Sequence, residues 1–249
     1  MSLRNFGDLA IETIGKQWPY PDFHITTGER DGNRVPVNLH YARNVSKLLY
    51  IDFDDVLCET ALAFTRILLE LFGRRVAFDD IREFDLEVSF SLTPQQHEHL
   101  MHVGHEPEFL GSVVPVPGAV DGMRQLKDIG FEIAIVTGRP PHCGEISAEW
   151  LTRHGIPFDR VLHVNKYGRL TGSQIKQAIT LEKLKEIEFC AAVEDAPGMA
   201  AFLVNAMTMP VLVFKRPWNI DAVIGADGNA DRLLRCHDWN HILETLVLM

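Results

Sequence analysis

The chain has 249 residues, 46% of them hydrophobic and 23% charged, a composition outside the disordered, collagenous and membrane classes. Its 24 Lys and Arg against 34 Asp and Glu give a formal charge of -10, which argues against capture of nucleic acid polymers or anionic membranes by the surface at large. A small anionic substrate stays compatible with that balance where clustered carboxylates hold a cation.

Residues 1–45 are dense in turn formers, as in Trp18-Pro19-Tyr20-Pro21 and Thr27-Gly28-Glu29-Arg30-Asp31-Gly32-Asn33, with one helix-like stretch near Phe6 to Ile14. They read as an N-terminal extension of unknown role. No apolar run has the length of a signal-peptide core or a membrane span, and Cys58, Cys143, Cys190 and Cys236 form no C-x-x-C pair. A reduced, cytoplasmic protein is the resulting expectation.

From Lys47 the pattern changes. Leu48-Leu49-Tyr50-Ile51 is a short apolar run ending at Asp52, and similar runs recur at Phe131 to Val136, Val161 to Val164, Phe189 to Val193 and Pro210 to Phe214. Helical patterns lie between them at Ala119 to Ile129, Ile146 to His154 and Ser173 to Ile187. This alternation predicts an α/β fold with a parallel, Rossmann-like sheet, and such sheets bind ligands at the carboxyl ends of their strands. Residues 58–114 break the alternation with helices at Thr60 to Phe72, Asp79 to Phe84 and Pro94 to Val103. We read 58–114 as a small α-helical cap inserted after the first strand, and 46–57 with 115–249 as the catalytic core.

Three strand ends carry polar groups: Asp52-Phe53-Asp54-Asp55, Thr137-Gly138-Arg139-Pro140 and Glu194-Asp195-Ala196-Pro197. Brought to one rim, these carboxylates would repel one another without a cation, and an all-oxygen donor set suits Mg²⁺ better than zinc. Ile51-Asp52-Phe53-Asp54-Asp55-Val56-Leu57, the strand ending Val136-Thr137-Gly138-Arg139 and the strand ending Val193-Glu194-Asp195 resemble, in order, the first, second and fourth motifs of the haloacid dehalogenase superfamily of hydrolases. The Glu194-Asp195 pair, the segment Phe214-Lys215-Arg216-Pro217-Trp218-Asn219 and helices placed directly after the first motif resemble its 5'-nucleotidase, deoxyribonucleotidase-like branch.

The resemblance implies a Mg²⁺-dependent phosphomonoester hydrolase working through an aspartyl-phosphate on a small phosphate ester, with nucleoside monophosphates the leading substrates. Sugar phosphates, phosphoryl transfer and a non-catalytic Mg²⁺- or phosphate-binding module are the alternatives, and an oligomer is left open. Under the resemblance Asp52 is the nucleophile and Asp54 the acid/base. Asp52, the Asp54 carbonyl, Asp195 and Glu194 through a water hold the metal, and Thr137 with the Gly138 amide binds phosphate. The superfamily also uses a lysine, for which Lys176 is preferred near a helix start at Thr171-Gly172-Ser173, with Lys183 and Lys166 as rivals. Arg139 reads as a loop residue or a neighbour of the substrate phosphate. His97, His99, His102 and His105 with Glu98 and Glu106 read first as a polar surface, then as substrate contacts and last as a zinc site. Phe64, Phe78, Phe84 and Phe90 read first as core packing.

Overall fold

A computed structural model describes residues 27–30, 33–36, 46–222, 224 and 229–249. The chain separates into two units, Met1–Val45 and Ser46–Met249. In the first, β1 (Thr27–Arg30) pairs antiparallel with β2 (Asn33–Pro36); the helix expected near Phe6 to Ile14 lies outside the described residues.

The second unit is a six-stranded parallel sheet. Its strands are β3 (Leu48–Asp52), β4 (Glu132–Thr137), β5 (Arg160–His163), β6 (Ala191–Glu194), β7 (Val211–Phe214) and β8 (Leu233–Cys236). Its helices are α1 (Thr60–Phe72), α2 (Leu86–Ser89), α3 (Pro94–Gly104), α4 (Pro107–Ser112), α5 (Ala119–Ile129), α6 (Gly144–Arg153), α7 (Ser173–Gln177), α8 (Leu181–Leu184), α9 (Pro197–Ala206) and α10 (Trp239–Leu248). The strand order is β5-β4-β3-β6-β7-β8, so the chain winds outward from β3 through β4 to β5 and then returns to β6 on the other side of β3. The order reverses between β3 and β6, and that is the place where open α/β sheets leave a crevice for ligands.

The apolar runs explain the core. β3, β6 and β7 are buried at every residue, as expected of strands covered on both faces. Leu48, Tyr50, Ala134, Val136, Ala192, Val211 and Val213 pack on one face against Met199, Ala200, Leu203 and Val204 of α9. Each large apolar side chain buried this way contributes about 1.5–3 kcal/mol. The helix ends follow local chemistry: Gly73 stops α1 in the left-handed region at φ 66°, and Thr93 with Gln96 forms a capping box at the start of α3.

The α/β parallel-sheet architecture expected from the sequence is present, with three differences in detail. The single helix expected over Ser173 to Ile187 is two short ones, because Ile179 is drawn alongside β5: its amide donates to the His163 carbonyl at 2.8 Å and its carbonyl accepts from Asn165 at 3.0 Å. The Asp79 to Phe84 segment is a single 3-10 turn, Phe78–Asp80, followed by α2. β8 forms the far edge of the sheet and α10 follows it, in a part of the expected core where no element was assigned beyond the apolar run Pro210 to Phe214.

Candidate active site

The carboxyl ends of β3, β4 and β6 converge. Asp52 ends β3, Thr137 ends β4, Glu194 ends β6, and all three are buried with Asp195. Oxygens of Asp52, Glu194 and Asp195 lie within 4.8 Å of one another, the one group of potential metal ligands of this kind among the described residues. Just beyond β3 the chain turns sharply at Asp55, which sits in the left-handed region at φ 60° and accepts the Ala61 amide at 3.0 Å, tying the turn to the start of α1. The side chains of Asp52 and Asp54, before this turn, meet different partners.

Asp52 faces the acids and one lysine. Lys166 Nζ donates to Asp52 Oδ1 at 2.6 Å and to Glu194 Oε2 at 2.9 Å, with its side chain 1% exposed. Glu194 is otherwise held by the Tyr50 hydroxyl at 2.8 Å on Oε2 and by the amides of Asp195 and Ala196 at 3.2 and 3.1 Å on Oε1. Asp195 Oδ2 accepts the Trp218 indole N–H at 2.9 Å, and Asn219 ties the Asp195 carbonyl to the Phe214 carbonyl. Burial, then the negative charge of Glu194, pushes the Asp52 carboxyl well above its ordinary range, with Lys166 pulling against both. Asp195 is raised in the same way by burial and by Asp52 and Glu194. Burial opposes the charge on Lys166, but the attraction of Asp52 and Glu194 outweighs it and raises the ammonium.

Asp54 faces a guanidinium. Arg139 Nε donates to Asp54 Oδ1 and Oδ2 at 3.1 Å each, Arg139 Nη2 donates to Oδ1 at 2.6 Å, and the Thr60 hydroxyl donates to Oδ1 at 2.6 Å. Burial would raise the Asp54 carboxyl, yet Arg139 and Thr60 hold it below its usual range. Arg139 is therefore turned toward Asp54, where the sequence suggested a substrate-phosphate neighbour.

Thr137 is fully buried and its hydroxyl accepts the Arg139 amide at 3.1 Å. Gly138 lies against the ring of Tyr167, and a Cβ placed there would come within 2.9 Å of that ring, so the close approach requires glycine.

The preference for Lys176 is corrected. Lys176 is exposed on α7, whereas Lys166 reaches the cluster. The cause is the extended pairing around Ile179: Lys166 follows directly from β5, and its amide donates to the Val164 carbonyl at 2.7 Å. A lysine three residues beyond β5, the strand that pairs with the Thr137 strand, was the available signal. Lys183, on α8, is exposed as well. Tyr50 and Trp218 are site residues that the sequence reading did not assign.

The histidines serve as surface and packing groups, with His99, His102 and His105 lining one open surface pocket beside Glu98. His97 approaches Glu87 at 3.5 Å, His102 approaches Glu106 at 3.4 Å, and the His105 ring meets His142 edge to face. Phe64 and Phe90 are buried, while Phe78 and Phe84 pack edge-on against Trp218, and Phe84 also meets Tyr167 at 5.5 Å between ring centres. The four cysteines are free, and no helix among the described residues is long and apolar enough to cross a membrane.

The donor chemistry fits a hard divalent cation: three buried carboxylates against one ammonium, all ligands oxygen, with Asp52 and Asp195 destabilised as anions by their surroundings. Asp52 and Asp195 each have one oxygen committed to Lys166 or Trp218 and a second for a cation, while both oxygens of Glu194 are engaged by protein donors.

The chain is similar to known proteins. A protein of Halalkalibacterium halodurans, provisionally named a nucleotidase, is 22% identical over 169 residues, covering 68% of this chain and 80% of that one. A Chlorobaculum tepidum protein provisionally named a 5'(3')-deoxyribonucleotidase is 30% identical over 126 residues, 45% of this chain and 60% of its own. Among solved structures, a haloacid dehalogenase-like hydrolase from Streptococcus pneumoniae superposes with a TM-score of 0.51 at 14% identity, covering 81% of this chain and 98% of that one, which establishes the shared fold. The model of the family described as 5' nucleotidase, deoxy (pyrimidine), cytosolic type C protein matches residues 46–182, from β3 to the start of α8 and so across Asp52, Asp54, Thr137 and Lys166. The chain therefore belongs to that 5'-nucleotidase family, a branch of the haloacid dehalogenase superfamily, and is a phosphoric monoester hydrolase.

Proposed function

We propose that the protein hydrolyses small phosphate monoesters, with nucleoside monophosphates as the leading substrate class, through a covalent phosphate on Asp52. The observation that carries this reading is the convergence of Asp52, Asp54, Thr137, Lys166 and Asp195 at the carboxyl ends of β3, β4 and β6, with Lys166 bonded to Asp52, Arg139 to both Asp54 and Thr137, and Trp218 to Asp195. Asp52 attacks phosphorus with a carboxylate oxygen, the ester P–O bond breaks, and Asp54 supplies the proton that the departing alkoxide takes up. Water then attacks the same phosphorus, Asp54 accepts its proton, and the bond to Asp52 breaks to release phosphate. Thr137 and the Gly138 amide hydrogen-bond the phosphoryl oxygens, and Lys166 neutralises charge on Asp52 and the transferring group.

Asp52, Asp195 and the Asp54 carbonyl would hold Mg²⁺, with Glu194 acting from the second layer by fixing Lys166. The cation would supply positive charge that lets an anionic nucleophile meet an anionic ester. Residues 58–114 act as a cap over the site, with Phe78 and Phe84 already in contact with Trp218 and Tyr167 beside Asp195 and Lys166. The family and relative names support a nucleotide substrate, pyrimidine deoxynucleotides first.

A panel of nucleoside, deoxynucleoside and sugar monophosphates, assayed with Mg²⁺ and with EDTA, tests the reading. Release of phosphate from nucleotides that EDTA abolishes is expected. Turnover of sugar phosphates alone would move the substrate class, and no Mg²⁺-dependent release from any ester would leave only a binding module.

A further inference from the structure

Arg139 has a geometry that the family-level reading leaves unused. It follows Thr137 and Gly138 at the end of β4, where a cation facing the phosphoryl group would be ordinary, yet its side chain is only 3% exposed and spends its donors elsewhere. Nε and Nη2 go to Asp54, Nη1 donates to Ser147 Oγ of α6 at 3.0 Å, and Nη2 also reaches Cys58 Sγ at 3.4 Å. The guanidinium plane lies on the Phe53 ring, its central carbon 4.0 Å from the ring centre. An Arg whose fork is satisfied on several sides is rigid, and it transmits that rigidity to the group it holds.

Its effect on Asp54 is asymmetric. Oδ1 takes Arg139 Nη2 and the Thr60 hydroxyl, both at 2.6 Å, and Arg139 Nε, whereas Oδ2 takes only Arg139 Nε at 3.1 Å. Thr60 opens α1 and Ser147 lies in α6, so Asp54 is clamped between elements on either side of the β3 loop. We propose that Arg139 is a positioning residue for Asp54: with Ser147 and Thr60 it locks Oδ1 and leaves Oδ2 as the oxygen that exchanges the proton with leaving group and water. This rests on the reading of Asp54 as the acid/base. Arg139 acts through Asp54 and is given no contact with the phosphoryl or leaving group in this scheme, and a lysine cannot replace it, because one ammonium cannot hold both carboxylate oxygens and Ser147 in a fixed fork.

The leaving group provides the test. p-Nitrophenolate departs without a proton, whereas an alkoxide needs one, so kcat/KM for an alkyl or nucleoside monophosphate divided by that for p-nitrophenyl phosphate reads the acid step alone. The wild-type protein and Arg139→Lys, Arg139→Gln and Ser147→Ala are compared with Mg²⁺ present, with circular dichroism confirming the fold. A fall in the ratio of about tenfold or more for the Arg139 variants is expected, since general acid catalysis is worth about 10² to 10⁴. A smaller fall in the same direction is expected for Ser147→Ala, which serves as the test where an Arg139 variant does not fold. On an Asp54→Asn background, Arg139→Lys should lower the ratio no further, because the two act as one unit. An unchanged or increased ratio in the folded Arg139 and Ser147 variants would overturn the proposal. Failure of the underlying reading is separately visible: Asp54→Asn would then keep the wild-type ratio.

Discussion

Asp52 and Asp54 are two residues apart on one strand end, yet they stand in opposite electrical surroundings. On the β6 side, Asp52, Glu194 and Asp195 face a single ammonium, Lys166, and the carboxyls of Asp52 and Asp195 are driven up. On the β4 side, Asp54 alone faces the Arg139 guanidinium and the Thr60 hydroxyl, and its carboxyl is held down. The first compartment has excess negative charge and calls for a cation. The second is neutral as it stands and calls for nothing but a proton to exchange. The two carboxylates meet different neighbours, Lys166 on one side and Arg139 on the other.

The sharpest way to break this contrast is to swap the chemistry of its two acids. Asp52→Asn is expected to reduce phosphate release by about 10⁴-fold or more while the protein stays folded, because the nucleophile has no substitute; steady-state turnover checks it. Lys166→Met comes next. It is expected to cost about 10² to 10³ in kcat/KM and about 3–5 kcal/mol of stability, since it leaves Asp52 and Glu194 buried without their cation. Lys176→Ala should change neither quantity by more than experimental scatter, and a loss matching that of Lys166→Met would restore the sequence-based assignment.

Subtler changes sharpen the boundary. Tyr50→Phe removes the hydroxyl donor from Glu194 and should cost about 1–3 kcal/mol in urea denaturation, with a slower turnover that follows from a looser Lys166. His105 sets the smallest effect. Burial first, with His142, Arg139 and His102 assisting and Asp54 opposing, pushes its imidazole down to about 4. Its folded value lies below the ordinary 6.5, so the unfolded chain binds the extra proton between those limits, and stability falls as pH drops from about 6.5 to about 4. His105→Asn should abolish a loss on the order of 2 kcal/mol across that window; identical pH dependence in both proteins would contradict it.

The division explains what the sequence could reveal. Asp52, Thr137 and Glu194 end strands whose apolar runs are unmistakable, with Asp195 the next residue after β6, and a strand end fixes where its side chain points, so pattern alone located them. Lys166 lies in a loop, and its position depends on Ile179 pairing beside β5, a long-range bond with no local signature. Helix periodicity from Ser173 onward hid that break, which is why Lys176 looked better placed. Arg139 was visible as a residue, but its direction was not, because Ser147 comes to it from α6 and Phe53 with Asp54 from the loop after β3, both through tertiary contacts. β8 and α10 were missed for a simpler reason: the four-residue Leu233–Cys236 carries an arginine and is only partly buried, so its apolar run is too short and too mixed to stand out.

The account stands or falls on covalent phosphate at Asp52. Mixing the Asp54→Asn variant with p-nitrophenyl phosphate, whose leaving group needs no proton, and Mg²⁺, quenching in acid and identifying the modified peptide by mass spectrometry measures it directly. The prediction is phosphate on the peptide containing Asp52, absent from Asp52→Asn; turnover by the wild-type protein with no covalent phosphate, and undiminished turnover by Asp52→Asn, would contradict it.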